Sequence, residues 1–354
     1  MELERRLRKV SRYHLALFVL PLLSLLYYGW WNAATLDQRP DNPLRFSPMA
    51  LRGDIRDRRG GPLAESVGEQ RHYPLKQAAG PLLGYHLRGR NQSGLEALLQ
   101  ASLSPPPPPK SLWGALAMDR SRAQGHPPLK GPDVALTIDS AMQRDLYGIL
   151  ASQAGALVVA GLDGGEILAA VSVPAFDPNE IARDWQRLRS DPGSPLIERV
   201  GSGLYPVLTS AGEPLLDKEQ TNRHPWFSEN PFPGYPGASP AVIIDGQHLY
   251  TPLMLLQVAS QGAQSSVLDP YLLAAERRTV TEPPLLPTFS GTRKEAGFEL
   301  GALMGPEFRD SPPFQVRLGR RQQGLRPVAF ALVLEGSSPE QAEAITRRIL
   351  SALP

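Results

Sequence analysis

The stretch Gly155–Asn179, GALVVAGLDGGEILAAVSVPAFDPN, decides the fold. Two apolar runs, Ala156–Leu162 and Ile167–Val173, flank Asp163-Gly164-Gly165. An Asp-Gly turn between two such runs predicts a β-hairpin. Upstream, Val134–Ile138 reads as a strand, and Asp139 or Ser140 can cap a helix from Ala141 to Ser152. Downstream, Pro178-Asn179-Glu180 opens an Arg-rich helix that runs to Arg189. Near the C-terminus, Val328–Leu334 is almost uninterruptedly apolar and fits a buried strand. Ser338-Pro339-Glu340-Gln341 then supplies a capping box with Pro in the first turn. The helix it starts is expected to reach Leu353, with Arg347 and Arg348 near its negative end. Strands early, a strand late and a terminal helix predict an α+β fold, an antiparallel sheet covered by helices.

Composition excludes several classes. The chain has 354 residues, with 37 Lys+Arg against 35 Asp+Glu, a net charge of +2. A nucleic-acid binder would carry a broad basic excess. The 0 Cys exclude disulfides, thiolate metal sites and a Cys nucleophile. The 32 Gly and 37 Pro predict many turns and exclude a coiled coil. Lysine is confined to Lys9, Lys76, Lys110, Lys130, Lys218 and Lys294.

The N-terminus sets an expected topology. Residues 13–36 contain no Asp, Glu, Lys or Arg, long enough to cross about 30 Å of hydrocarbon. Tyr27, Tyr28, Trp30 and Trp31 gather at one end, where amphipathic rings favour the headgroup level. The tail 1–12 carries a local excess of positive charge, so it is expected to stay in the cytoplasm while the rest faces outward. A cleaved signal peptide would have a shorter apolar core and a better cleavage site than Asn32-Ala33-Ala34. The expected organisation is a basic tail (1–12), a single transmembrane anchor (13–36), a small β-rich pedestal (37–131) and a larger domain (132–354). Within the pedestal, Pro105–Pro109 makes a stiff polyproline spacer more readily than a recognition ligand.

Five separated stretches, in order, resemble the class B penicillin-binding proteins, the monofunctional peptidoglycan transpeptidases. They are RGDIRDRRGGPLAES (Arg52–Ser66), GRNQSGLEALL (Gly89–Leu99), VALTIDSAMQ (Val134–Gln143), the hairpin Gly155–Asn179 and DGQHLYTPLMLLQVAS (Asp245–Ser260). The resemblance implies a serine-transpeptidase or β-lactamase-like sheet on a pedestal, anchored in the bacterial inner membrane with its bulk outside. It implies no cofactor and no metal. It implies partnership with a SEDS-type glycan polymerase or other cell-wall synthesis proteins, through the membrane helix and the pedestal around Arg52, Gly53, Asp57, Arg58 and Gly60. Peptidoglycan is the implied substrate class.

The catalytic motifs of that family do not follow. There a Ser attacks the acyl donor and a Lys at i+3, one helical turn on, takes its proton. The corresponding region here reads GLYPVLTSAGEPLL (Gly203–Leu216). Tyr205-Pro206 is kept, but Thr209 stands at the Ser position and Gly212 at the Lys position. None of the six lysines has Ser three residues before it, and none is followed by Ser/Thr-Gly. Gly291-Thr292-Arg293 lies in the region of the second Lys motif without being it. One S-x-N triplet remains, Ser228-Glu229-Asn230, a pattern that arises readily by chance. The short span between Tyr205 and Thr251-Pro252 implies loss of much of the helical subdomain that carries the nucleophile.

Other constellations are weaker. Ser210 with Glu213 reads as a turn or cap. The six His show no metal-ligand spacing. Arg52, Asp57 and Arg58 read as a structural ion-pair or hydrogen-bond cluster at the pedestal junction rather than a ligand site, and Gly246, Gln247, Thr251 and Pro252 as a turn and a helix start. Three readings stay open: a non-catalytic scaffold or regulator of peptidoglycan synthesis, a diverged penicillin-binding transpeptidase using Thr209 or Ser210, and a decaying paralogue.

Overall fold

The computed structural model describes residues 17–27, 50–68, 70–87, 91–107, 109–124, 129–209, 212–216, 224–228, 231–232, 235–245, 247–260, 272–274, 293–303, 305, 313–322 and 326–353. The chain divides into two compact units, Met1–Met49 and Ala50–Pro354. In the first, residues 17–27 are helical with exposed apolar side chains. Among the described residues no helix is long and apolar enough to cross a membrane. The remainder of the expected anchor, with Trp30 and Trp31, lies outside the described residues.

The second unit begins with short strands: β1 (Ala50–Leu51), β2 (Ile55–Arg56), β3 (Pro62–Val67) and β4 (Gln70–His72). Two later strands, β5 (Leu129–Lys130) and β6 (Val134–Ala135), return to pair in parallel with β1 and β2. The turn between β2 and β3 is shaped by Asp57, whose Oδ1 accepts from Arg59 N at 2.9 Å and Gly61 N at 2.7 Å. A buried ion cluster holds this region to the helix Gly94–Leu98. Glu96, 0% exposed, accepts from Arg52 Nε at 2.6 Å and Arg71 Nε at 2.7 Å. The strand expected over Val134–Ile138 is shorter. Only Val134–Ala135 pairs as a strand, because Leu136 bridges to Leu273 and Thr137 N donates to Leu272 O.

The hairpin forms as β7 (Ala154–Gly161) and β8 (Ile167–Val173), with Gly165 at φ 82° in the turn. Gly155, at φ 141°, lies where a Cβ would collide with the Val333 carbonyl. Three short strands, β9 (Tyr205–Pro206), β10 (Val242–Ile244) and β11 (Gln247–Tyr250), make a separate small sheet in the order β10-β11-β9. Four more, β12 (Arg293–Glu295), β13 (Phe298–Leu303), β14 (Phe314–Arg321) and β15 (Val328–Glu335), join the hairpin in one antiparallel sheet. Its order is β12-β13-β14-β15-β7-β8.

The central strands are apolar throughout because both faces are covered. Ala156, Val158, Ala160, Ala331 and Val333 face the helix Pro252–Ser260, all nine residues of which are buried. Leu157, Val159, Phe330 and Leu332 face the helices Ser140–Leu150 and Pro339–Ala352. The first of these cores is continuous with Ile55 and Leu63 of the N-terminal strands and with Tyr73 just after β4. Asp139 caps the Ser140–Leu150 helix, accepting from Ala141 N and Met142 N. Ser338 and Gln341 complete the reciprocal capping box of the last helix.

The outer edge of β8 carries backbone groups that no strand pairs. Asp139 N donates to Leu168 O at 2.8 Å. The side-chain amide of Gln143, 0% exposed, takes both groups of Ala170: its Oε1 accepts from Ala170 N at 2.8 Å and its Nε2 donates to Ala170 O at 2.8 Å. The same Nε2 donates to Ala78 O at 2.7 Å. Gln143→Leu keeps the volume and strands three buried backbone groups. Each such group costs roughly 1–3 kcal/mol, so urea unfolding of the variant is expected to show a loss of about 3 kcal/mol or more.

Candidate functional site

The site is assembled around Tyr205-Pro206, where the sequence places the start of the chemistry. Tyr205 pairs with Tyr250 and Pro206 with Leu249. Beyond β9 the chain makes a tight reversal instead of a helix. Thr209 N donates to Glu213 O at 2.8 Å, Gly212 N to Thr209 O at 2.9 Å, and Glu213 N to Thr209 Oγ1 at 3.2 Å. Gly212 adopts φ 80°, which a side chain would resist. Thr209 and Gly212 are therefore the two sides of a turn, and the Thr209 hydroxyl is occupied in closing it. Ser210 lies outside the described residues.

The described lysines are engaged elsewhere or exposed. Lys130 donates to Asp54 at 2.6 Å and stands 3.0 Å from Asp133. Lys294 lies on β12, 4.0 Å from Glu299, and Lys76 begins the single turn Lys76–Ala78. Lys9 and Lys218 lie outside the described residues. Ser228 is exposed after the turn Pro225–Phe227, and Asn230 is outside the described residues. Gly246 is also outside them. Gln247 begins β11, Thr251 is buried with its Oγ1 accepting from Met254 N at 3.3 Å, and Pro252 is the first residue of its helix.

The residues read as one ion-pair cluster are not brought together. Arg52 engages Glu96, whereas Asp57 Oδ2 accepts from Ser140 Oγ at 2.5 Å. The Arg58 side chain joins neither. Gly53 N donates to Leu103 O at 2.9 Å, and Gly60 turns at φ 84°. Burial lowers the Arg52 guanidinium from its ordinary range, opposed by the Glu96 charge.

Beside Tyr205 lies a polar network that the sequence did not disclose. Glu198 caps the helix Arg199–Ser202, accepting from Val200 N at 3.1 Å, Gly201 N at 2.7 Å and Tyr235 OH at 3.1 Å. Burial raises the Glu198 carboxyl to about 7, against the pull of those donors. Arg199 Nη2 donates to Gly193 O at 2.6 Å, and its Nε to Glu335 Oε1 at 3.2 Å. Tyr205 OH donates to the same Glu335 oxygen at 2.6 Å. Burial and the Glu335 charge hold the Tyr205 hydroxyl well above its usual range. A sequence signal for this network exists: the charged pair Glu198-Arg199 interrupts the apolar run Pro195–Val200.

On the other side, Trp226 donates through Nε1 to Gln257 Oε1 and stacks edge-on against His224 and Tyr250. His224 is 7% exposed, and burial lowers its imidazole to about 4. Its Nε2 has no partner among the described residues. Among the described residues no group of three or more His, Asp or Glu could hold a metal ion. Chemically, the assembly fixes loops around Tyr205, and among the described residues the hydroxyls it pairs with carboxylates are the phenols of Tyr205 and Tyr235.

No model of a described protein family matches the chain. The peptidoglycan D,D-transpeptidase MrdA of Salmonella typhimurium is 39% identical over 85 residues, 23% of this chain and 14% of MrdA. The peptidoglycan D,D-transpeptidase PbpA of Mycobacterium tuberculosis is 30% identical over 258 residues, 64% of this chain and 51% of PbpA. The chain thus spans about half the length, or less, of these curated relatives. Among solved structures, the penicillin G acyl-enzyme of penicillin-binding protein A from M. tuberculosis superposes with a TM-score of 0.63 at 18% identity, over 86% of this chain and 99% of that one. The complex of PBP2 with MreC from Helicobacter pylori superposes with a TM-score of 0.60 at 12% identity, over 86% and 97% of the two chains. The chain is a homologue of the peptidoglycan D,D-transpeptidases and has their α+β fold, with a small N-terminal β region.

Glu198 gives a signed pH dependence. Its folded value, about 7, is above the unfolded value of about 4.3, so its contribution to stability is full in acid and lost as pH rises through about 7. Glu198→Gln cannot ionise. Its stability relative to the parent is expected to improve by roughly 3–4 kcal/mol between acid and pH 8, measured by denaturant unfolding at each pH.

Proposed function

We propose that the chain is a non-catalytic scaffold or regulator of peptidoglycan synthesis, anchored in the bacterial inner membrane by residues 13–36 with its bulk outside. One observation carries this reading. At the position the family resemblance gives to the nucleophile, the Thr209 hydroxyl closes a turn with the Glu213 amide, and Gly212 stands where the base would be. A nucleophile needs a base within hydrogen-bond reach, and no lysine of the chain follows a Ser or Thr at that spacing: the residues three before each lysine are Arg6, Tyr73, Pro107, Pro127, Leu215 and Gly291.

A fold kept while its reaction is lost serves binding. The partner class is a protein of cell-wall synthesis, a SEDS-type glycan polymerase in the first instance, met through the membrane segment and the pedestal around Arg52–Ala64. A homologous fold, PBP2 of H. pylori, is known in complex with MreC. Peptidoglycan peptide is a second, non-covalent ligand class.

The test is affinity purification of the full chain from membranes, followed by identification of what accompanies it. A glycan polymerase or another division or elongation component is expected, retained in equal yield by the Thr209→Ala/Ser210→Ala variant. Association with no such component, or association lost with the two hydroxyls, would contradict the proposal.

A further inference from the structure

The helix Leu112–Ala123 turns an apolar face to solvent. Trp113 is 80% exposed and Leu116 51%. Ala117 and Arg120 are exposed with them, whereas Gly114, Ala115, Met118 and Ser121 are half-buried. Positions 113, 116, 117 and 120 are spaced i, i+3, i+4 and i+7 and so share one side of the helix. A helix on a protein surface ordinarily turns polar residues to water, and an apolar stripe on that side marks a contact surface. Basic groups bracket the stripe: Lys110 lies exposed before the helix and Arg120 in its last turn. Between Glu96 and Lys130 the chain has three basic residues, Lys110, Arg120 and Arg122, and one acidic residue, Asp119.

We infer that this face rests on an anionic lipid bilayer, with Trp113 and Leu116 entering the headgroup boundary and Lys110 and Arg120 meeting lipid phosphates. Aromatic and aliphatic side chains flanked by basic ones are the chemistry of an interfacial helix, and the positive excess of the segment complements anionic headgroups. The inference rests on the anchor proposed for residues 13–36. Residues 37–49 connect that anchor to β1 and can extend no further than about 50 Å. β1 pairs with β5 through Ala50 and Leu129, and Leu129 follows the end of the helix by six residues. The helix is thereby tethered near the bilayer. Two apolar side chains are too few to hold a free helix on a membrane, but a tether makes the second contact intramolecular and raises its effective concentration.

The full chain has no Cys, so Ala117→Cys takes a single environment-sensitive fluorophore. The labelled chain is reconstituted in nanodiscs of phosphatidylglycerol with phosphatidylcholine, or of phosphatidylcholine alone, with and without a nitroxide-bearing lipid. In discs containing phosphatidylglycerol the nitroxide is expected to quench the label at least twofold. Trp113→Ser/Leu116→Ser and Lys110→Gln/Arg120→Gln are each expected to abolish the quenching with unchanged melting temperature, as are discs of phosphatidylcholine alone. A label at Leu23→Cys reports the anchor separately. Quenching at Leu23→Cys without quenching at Ala117→Cys overturns the inference and leaves the anchor, and is the result expected of a face that meets a protein partner instead. Quenching at Ala117→Cys that both variants keep, or that is equal in the two lipids, also overturns it. No quenching at Leu23→Cys overturns the anchor reading, and the inference with it.

Discussion

The unpaired edge of β8 is the constraint on which the rest of the second unit depends. A sheet that ends on a buried strand must satisfy that strand's outward N–H and C=O groups without another strand. Here the segment Thr137–Gln143 does so. Thr137 Oγ1 donates to Ile167 O at 2.8 Å, Asp139 N reaches Leu168 O, and the Gln143 amide stands in for a peptide group opposite Ala170. Gln143 can do this only from the first turn of a helix whose start is fixed by Asp139. Its Nε2 also donates to Ala78 O, which ties the turn Lys76–Ala78, just after the N-terminal strands, to the same edge. One side chain thus couples the hairpin, the helix that covers it and the β region before them.

The same strand also supports the network beside Tyr205, because Ser172 Oγ of β8 accepts from Arg199 N at 2.8 Å. Around Tyr205 the groups are engaged with one another: Glu198 with two amides and Tyr235, Glu335 Oε1 with Arg199 and Tyr205, and the Thr209 hydroxyl oxygen with the Glu213 amide. Carboxylates and hydroxyls saturated in this way position loops.

Local signals in the sequence translated into structure where the physics is local. The Asp163-Gly164-Gly165 turn, the Asp139 cap and the Ser338–Gln341 box each involve residues within a few positions, and each appears at its expected place. The strand expected over Val134–Ile138 was shortened because Leu136 and Thr137 bond instead to Leu272 and Leu273. Long-range partnerships were not legible. Arg52 and Glu96 are 44 residues apart, Glu198 and Tyr235 are 37 apart, and Arg199 and Glu335 are 136 apart. No spacing rule links such pairs, so the Arg52, Asp57 and Arg58 grouping looked like one cluster and proved to be three separate environments.

The lysine inventory was informative because it concerns absence of a chemical group from the chain itself. Lys130 is held by Asp54 and Asp133, and no lysine stands at the family's spacing from Thr209 or Ser210, so the proposed scaffold role carries the expectation of no covalent reaction with an acyl donor. The most direct measurement is the intact mass of the full chain after prolonged incubation with benzylpenicillin. The account predicts an unchanged mass. A stoichiometric penicilloyl adduct that disappears on Thr209→Ala or Ser210→Ala would contradict it.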